Sequence, residues 1–262
     1  MDKKTVVLSK DMVNPETENR ILANTRVVLS HTSHPGNIGA AARAMKTMGL
    51  SQLYLINPLK FPDEQAEAMA VSAVDILHQA KVVSSLEEAL EGCVMVAGLS
   101  ARIRDISHEV LPPRVAMPQL AQQALQHPVA LLFGTEMSGL TNDELASCQL
   151  MVNIPTNPDY SSLNLASAVQ LVSYELRLAA GLGNISAPES VPAPAEQLDR
   201  YFVHLEQTLA DIGFLQTRHT TKLMQKLRRL YARARPEQEE INILRGILTV
   251  TNECATKGRI KE

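Results

Sequence analysis

Three short polar segments, each following an apolar run, hold the residues of this 262-residue chain most capable of chemistry. The first is His31-Thr32-Ser33-His34-Pro35-Gly36-Asn37-Ile38-Gly39, leading into Ala40-Ala41-Ala42-Arg43. Gly36 and Gly39 permit a tight turn or a close backbone approach. Asn37 is a residue type that caps helices. Arg43 falls in the second turn of the helix that follows, and its fork of donors can clamp a phosphate. The second segment, Gly134 to Leu140, sets a lone carboxylate, Glu136, between Gly134 and Gly139. The third runs from Ile154 to Ala166 and places Ser161, Ser162 and Asn164 at the start of a long helix, where free backbone N–H groups suit an anion or a polar cofactor group. Each segment also has a plain reading: Arg43 as a helix-surface residue, Glu136 as a solvated turn residue, and the serines as caps.

Other chemistries find less support. The first segment is neither a GxGxxG dinucleotide fingerprint nor a Walker loop, since no GKS or GKT follows. The seven histidines are scattered, and no Ser-His-Asp set has convincing surroundings. Cys93, Cys148 and Cys254 form no CxxC and no metal-ligand cadence, so no metal is expected and a reducing, cytoplasmic location is. Met1 to Arg20 lacks the apolar core of a signal peptide, and no apolar run approaches the roughly 20 residues that span a bilayer.

The elements that must position these segments alternate. Apolar runs at residues 26–30, 53–56, 81–83, 94–98, 129–133 and 150–154 read as strands. Segments 37–48, 63–77, 85–90, 117–126, 142–148 and 162–180 read as helices, with Ser85 and Glu88 as a reciprocal cap. The run Val129-Ala130-Leu131-Leu132-Phe133 is continuously apolar, as in a strand buried on both faces of a parallel sheet. Alternation of this kind means an α/β open sheet, mostly parallel, and ligands of such sheets bind beyond the carboxyl ends of the strands. Residues 1–24 read as an N-terminal extension or accessory strand. Residues 25–180 form the α/β domain. Residues 181–195, rich in Gly and Pro, form a linker. Residues 196–262 form a small all-helical domain, with helices at 196–212, 221–233 and 236–249.

Charge divides unevenly. The whole chain carries −3, yet residues 196–262 carry 12 Lys and Arg against 9 Asp and Glu. Arg218, Lys222, Lys226, Arg228, Arg229, Arg233 and Arg235 follow one another with no acidic residue between them. At helical spacing Arg218, Lys222, Lys226, Arg229 and Arg233 share a face. Such a stripe can track a phosphate backbone, although an ordinary solvated face is the bland alternative. Aromatic residues are 3% of the chain, too few for a base-stacking platform, so recognition of any nucleic acid would rest on shape and phosphates.

The segments Ser33 to Met45, Phe133 to Leu140 and Tyr160 to Val169 resemble those of the SPOUT superfamily of trefoil-knotted methyltransferases, and within it the bacterial tRNA (cytidine/uridine-32) 2'-O-methyltransferases. The similarity covers residues 26–179, and more weakly the helical tail. It implies a C-terminal trefoil knot in the α/β domain, a homodimer through that domain, and S-adenosylmethionine as methyl donor, leaving as S-adenosylhomocysteine. By motif position, Gly98, Leu99, Ser100, Gly134, Glu136, Ile154, Ser162, Leu163 and Asn164 would surround the cofactor. Arg43, Asn37, Ser161 and Ser162 would serve the reaction. Arg43 and the basic stripe (Arg218, Lys222, Lys226, Arg229, Arg233) would hold RNA. The expected partner is tRNA rather than DNA or a membrane. An rRNA substrate, or a non-catalytic RNA-binding role, are the competing readings. Relatives commonly carry Arg where this chain has Thr135, and Thr cannot form a bidentate phosphate pair.

Overall fold

The computed structural model describes residues 15–100, 110–181, 191–215 and 220–259. Its centre is a seven-stranded sheet: β1 (Thr25–Ser30), β2 (Gln52–Ile56), β3 (Lys81–Val83), β4 (Met95–Leu99), β5 (Val110–Leu111), β6 (Val129–Phe133) and β7 (Leu150–Val152). The order is β3-β2-β1-β6-β4-β7-β5, and every adjacent pair is parallel. The all-apolar β6 is indeed fully buried, between β1 and β4. The two-residue β5 went unanticipated because its signal is too short to stand out from a loop.

Helices cover both faces. One face carries α1 (Pro15–Ala23), α2 (Pro35–Met48), α3 (Glu64–Ala70), α4 (Val74–His78), α6 (Pro113–Ala124) and α8 (Leu165–Gly181) over a core that includes Val27, Leu29, Leu131 and Phe133. The other face carries α5 (Leu86–Leu90) and α7 (Asn142–Ala146) over Val28, Val96, Ala130 and Leu132. The alternation of β1 side chains between the two cores is the period-two geometry of a strand.

Several elements differ from expectation. Residues 15–23, read as an extension or strand, form a helix whose Ile21 and Leu22 are buried in the main core. Glu18 on this helix pairs with Arg177 on α8 at 2.8 Å. The Val6-Val7-Leu8 run lies outside the described residues. The helix expected over 63–77 breaks at Val71, whose φ of 54° no regular helix accommodates, into α3, a short 3-10 turn and α4. Helix α6 begins at Pro113 rather than Met117, because proline is tolerated in a first turn. Ser85 does cap α5, but Glu88 reaches back to the N–H and hydroxyl of Ser84 at 2.8 and 3.1 Å instead of closing on Ser85 itself.

The tail comprises α9 (Ala195–Asp211), α10 (Thr220–Ala234) and α11 (Gln238–Arg259), the last longer than the expected 236–249. Its own small core gathers Leu198, Tyr201, Phe202, Leu205, Met224, Ile241 and Leu248. Tyr201, Phe202 and Tyr231 form a ring cluster with centroids 5.0–5.8 Å apart. The tail docks on the α5/α7 face: the Ala195 N–H donates to the Cys93 carbonyl at 3.2 Å, and Gln225 donates to Asp143 at 3.2 Å. Residues 182–190 of the expected linker lie outside the described residues.

Candidate active site

Strand order decides which polar segments meet. Leu99 of β4 lies in register with Phe133 of β6 on one side and Val152 of β7 on the other, so the chain leaving all three strands emerges at one edge. Leu29 of β1 is in register with Phe133 from the opposite side, which brings the 31–39 segment to the same edge. Buried Glu144 fixes α7 behind this edge. It completes a capping box with Thr141 and accepts a hydrogen bond from the Ser30 hydroxyl at the end of β1.

Glu136 is the hub that ties the segments together. Its carboxylate accepts from the Ser33 N–H (3.2 Å), the Ser33 hydroxyl (3.0 Å), the His34 N–H (3.3 Å) and Asn37 Nδ2 (2.9 Å). Burial pushes its acidity toward the neutral form, but the bond from Asn37 and the backbone N–H groups outweigh it and hold the carboxyl below the ordinary glutamate value. Asn37 in turn accepts from Asn164 Nδ2 at 3.0 Å. Asn164 Oδ1 faces the other way and accepts from the Ala166 and Ser167 N–H groups at 2.9 and 3.4 Å, capping α8. One continuous chain of hydrogen bonds, Glu136–Asn37–Asn164, therefore joins all three sequence motifs. It also corrects two expectations. Helix α2 starts at Pro35 with His34 in the capping position, so Asn37 lies inside the first turn and its side chain is free to bridge. Helix α8 starts at Leu165, so Ser161 and Ser162 stand in the loop before it rather than on it.

Beside this chain opens a cavity of about 210 Å³ lined by the ends of β4, β6 and β7 and by the second and third motif segments; no residue of the 31–39 segment lines it. Its walls are apolar: Leu99, Phe133, Val152, Ile154, Leu163 and Leu165. Its polar groups come from Ser100, Thr135, Glu136, Ser138, Ser161 and Ser162. The Gly134 turn admits no other residue, because a Cβ there would sit 2.2 Å from the Gly139 carbonyl carbon and 2.3 Å from the Leu140 nitrogen. Thr135 belongs to the same turn. Its N–H and carbonyl exchange bonds with Gly139, and its hydroxyl lies 2.7 Å from that of Ser138. At the cavity's edge, Met137 is 92% exposed and Tyr160 79% exposed.

Of the nine residues expected around a cofactor, Leu99, Ser100, Gly134, Glu136, Ile154, Ser162 and Leu163 line this cavity. Gly98 does not: its missing side chain makes room for Cys148, whose Sγ would lie 2.5 Å from a Cβ. Asn164 stands behind the lining, bonded to Asn37. Ser161 and Ser162 are in the cavity, and Asn37 is one bond from it. Arg43 is exposed, makes no hydrogen bond or ion pair with a described residue, and is not part of the lining. Six residues at 3.6 per turn set it about 120° around the helix axis from Asn37. Phe133, Val152, Leu165, Ala168 and the 137–139 turn were missed. Their only sequence signal was adjacency to the motifs, since an apolar strand end reads as core whether or not it borders a cavity.

On α10, Lys222, Lys226 and Arg233 are exposed and Arg229 is half-buried; Lys222, Lys226 and Arg229 make no hydrogen bond or ion pair with a described residue. Arg218 lies outside the described residues. Arg228 leaves the stripe: it pairs with Asp199 at 2.7 Å and stacks over Phe202 at 4.5 Å. Helix α10 packs on α7, the helix that directly follows the 134–140 loop, so the stripe and the cavity are joined through one short element. Among the described residues no group of His, Cys, Asp and Glu could hold a metal ion. Burial pushes the Cys93 thiol up to about 11 and Cys148 further, which leaves both inert as nucleophiles.

Comparison with known proteins matches both parts of the chain. The model of the SpoU rRNA Methylase family matches residues 24–174, and that of the tRNA methyltransferase TrmJ C-terminal domain matches residues 196–260. The tRNA (cytidine/uridine-2'-O-)-methyltransferase TrmJ of Pectobacterium atrosepticum is 53% identical over 234 residues, 87% of this chain and 97% of the relative. The protein of the same name from Salmonella choleraesuis is 51% identical over 233 residues, 87% and 96% of the two chains. Among solved structures, TrmJ from Z. mobilis ZM4 superposes with a TM-score of 0.78 at 33% identity, covering 86% of this chain and 98% of that one. A probable methylase family protein from Haemophilus influenzae Rd KW20 gives 0.59 at 45% identity, covering 90% and 99%.

Proposed function

The chain belongs to the SpoU methylase family, and from that premise we propose that it methylates a ribose 2'-oxygen of tRNA, at nucleotide 32 of the anticodon loop, using S-adenosylmethionine. The observation that carries the reading is the Glu136–Asn37–Asn164 chain, which ties the 31–39 segment to the two loops that line the cavity. The substrate class follows the relatives named for tRNA and the TrmJ-type tail.

The cavity fits the methyl donor. Its apolar walls suit a flat purine, and the hydroxyls of Ser100, Ser161 and Ser162 suit ribose and amino-acid polar groups. When bound there, S-adenosylmethionine supplies a methyl group on a sulfonium, already a good electrophile. The protein's own task is alignment, and fixed loops convert a bimolecular encounter into an effectively unimolecular one. Ionised Glu136 does this by holding the Ser33, His34 and Asn37 donors in place. Asn37, held from both sides, keeps the start of α2 and the start of α8 at a fixed separation. Arg43 is a cation and no base; its role is to clamp a phosphate and stabilise developing negative charge on the 2'-oxygen.

Arg43 lies off the cavity of its own chain, which supports a homodimer in which it reaches the partner's site. An exposed apolar stripe on α8, Leu171, Tyr174 and Leu178, supports the same pairing. The trefoil knot belongs to this reading. It is supported by a strand order in which β6 enters between β1 and β4 while β7 lies beyond β4; residues 101–109 lie outside the described residues. The α/β body, linker and helical tail are proposed as separate units at the boundaries given above. No helix among the described residues is long and apolar enough to cross a membrane, and three free thiols accord with a cytoplasmic location.

Incubating the purified protein with labelled S-adenosylmethionine and either tRNA or rRNA, then mapping the labelled nucleotide, tests the proposal. Label at the 2'-oxygen of tRNA nucleotide 32 is expected. Label in rRNA alone, as the family model's description would have it, would replace the substrate, and no label in either RNA would leave a binding protein.

A further inference from the structure

Behind the cavity, Glu144, Ser30 and His31 stand in a line that holds no part of the cofactor site. The buried Ser30 hydroxyl donates to Glu144 Oε1 and lies 2.8 Å from His31 Nδ1. The second oxygen of Glu144 accepts from the Thr141 N–H at 2.6 Å. A hydroxyl carries one proton. Ser30 directs it to Glu144, so its oxygen must accept from the ring, and the proton of a neutral His31 must sit on Nδ1. Nε2 then keeps its lone pair, on an exposed residue. A carboxylate behind an imidazole in this way fixes the tautomer and steadies the imidazolium that forms when Nε2 takes a proton. The backbone is held as well. His31 has a φ of 50°, a left-handed conformation uncommon outside glycine and concentrated at functional sites. Its N–H donates to the Ile56 carbonyl at 2.8 Å, and the next carbonyl, of Thr32, accepts from Leu59 at 3.0 Å.

A ribose hydroxyl must lose its proton as its oxygen takes a methyl group. The groups bonded around the cavity are poor acceptors for it. Glu136 already receives four hydrogen bonds, Asn37 and Asn164 are amides, and Arg43 is a cation. If the cavity holds the methyl donor, the ribose lies outside its mouth, and so does the acceptor. His31 is placed there. Leu29 and Phe133 are the last register pair of β1 and β6, and neighbouring strands lie about 5 Å apart. The chain leaving β1 at His31 therefore runs beside the chain leaving β6 at Gly134 and Thr135, which line the cavity. The ring turns toward α7, the helix on which the basic face of α10 packs. We propose that His31 is the general base of the reaction, an inference that rests on the methyl-transfer reading. Nε2 takes the 2'-hydroxyl proton while the new oxygen–carbon bond forms. The electron pair of the breaking sulfur–carbon bond stays on sulfur, and the imidazolium passes its proton to solvent. Ser30 and Glu144 are positioning residues.

Chemical rescue tests the assignment in the full chain. Single-turnover methylation of tRNA is measured at saturating S-adenosylmethionine for the unaltered protein, His31→Ala and His31→Asn. Both variants are expected to lose about 10²-fold in rate, with affinities for tRNA and S-adenosylmethionine unchanged in filter binding and calorimetry. Added imidazole should raise the His31→Ala rate about tenfold and leave the unaltered protein unaffected. Asn tolerates the left-handed backbone and keeps hydrogen-bonding groups but takes up no proton. A fast His31→Asn, an undiminished His31→Ala, a loss that imidazole does not relieve, or a rescue found in His34→Ala instead each overturns the proposal. A second measurement needs no reaction. Nitrogen NMR of the histidine-labelled protein, with the His31 signal identified by its loss in His31→Asn, should show the proton of neutral His31 on Nδ1 and none on Nε2; the opposite tautomer overturns the relay. Failure of the unaltered protein to methylate tRNA would instead remove the methyl-transfer reading, and this inference with it.

Discussion

The strand-end loops and helix α10 both carry polar groups in unusual density, but they treat them in opposite ways. In the loops Glu136, Asn37 and Asn164 are already engaged. Glu136 accepts four hydrogen bonds, Asn37 is bonded on both sides, and Asn164 divides its two ends between Asn37 and the first turn of α8. On α10, Lys222, Lys226 and Arg229 are left without an ion pair among the described residues. The first pattern is preorganisation, suited to chemistry that tolerates no misplacement. The second is a mobile counter-charge, suited to a backbone of phosphates that needs neutralising rather than exact placing. Arg43 belongs with the second group by its lack of partners and with the first by its motif.

That contrast can be broken or sharpened by measurement. The largest effect is expected from Arg43→Ala, which should lower the methylation rate about 10²–10³-fold, the worth of one stabilising donor at developing charge, with cofactor affinity nearly intact. An equal loss of cofactor affinity would place Arg43 among the preorganised groups instead. Asn37→Ala cuts the link between motifs and should cost about 10²-fold in rate through misalignment, while tRNA affinity, read by filter binding, stays close to that of the unaltered chain. Replacing Lys222, Lys226 and Arg229 together with Gln should do the reverse: weaker tRNA binding, a salt dependence shallower by about 2–3 in log–log slope, and an unchanged rate at saturating tRNA.

Smaller effects follow from single groups. Glu136 has a folded-state acidity below its ordinary value of 4.5, so its contribution to stability is present above that value and is lost as the pH falls through the lowered one. The Tm gap between the unaltered chain and Glu136→Gln should therefore hold near neutral pH and close on acidification; a gap that widens in acid would contradict the hydrogen-bond account. Arg228→Ala removes a partly exposed ion pair and a ring contact that join α9 to α10. It should cost about 1 kcal/mol in denaturant unfolding and leave methylation unchanged.

Much of this was legible in the residue order. Six of the seven strands stood out because parallel strands buried on both faces are written as apolar runs, and the three motifs stood out because glycine, asparagine and serine cluster where chains turn. What stayed hidden has a common cause. The burial of α1 depends on α8, some 150 residues away, and nothing within Pro15–Ala23 announces that partner. Thr135 read as a lost arginine, but its hydroxyl helps close the 134–139 turn. Gly98 read as part of a cofactor loop, but its vacancy is filled by Cys148.

Residue order by itself determined the alternation of strand and helix, the placing of polar loops after β1, β6 and β7, and the basic face of α10, because periodicity and turn chemistry are local. Only the tertiary structure decided that Asn37 would bridge Glu136 and Asn164, that seven of the nine expected residues would share one cavity, and that Arg43 would point elsewhere. Those outcomes depend on strand order and on how far one helix has rotated about its axis, and both are set by packing between segments distant in sequence.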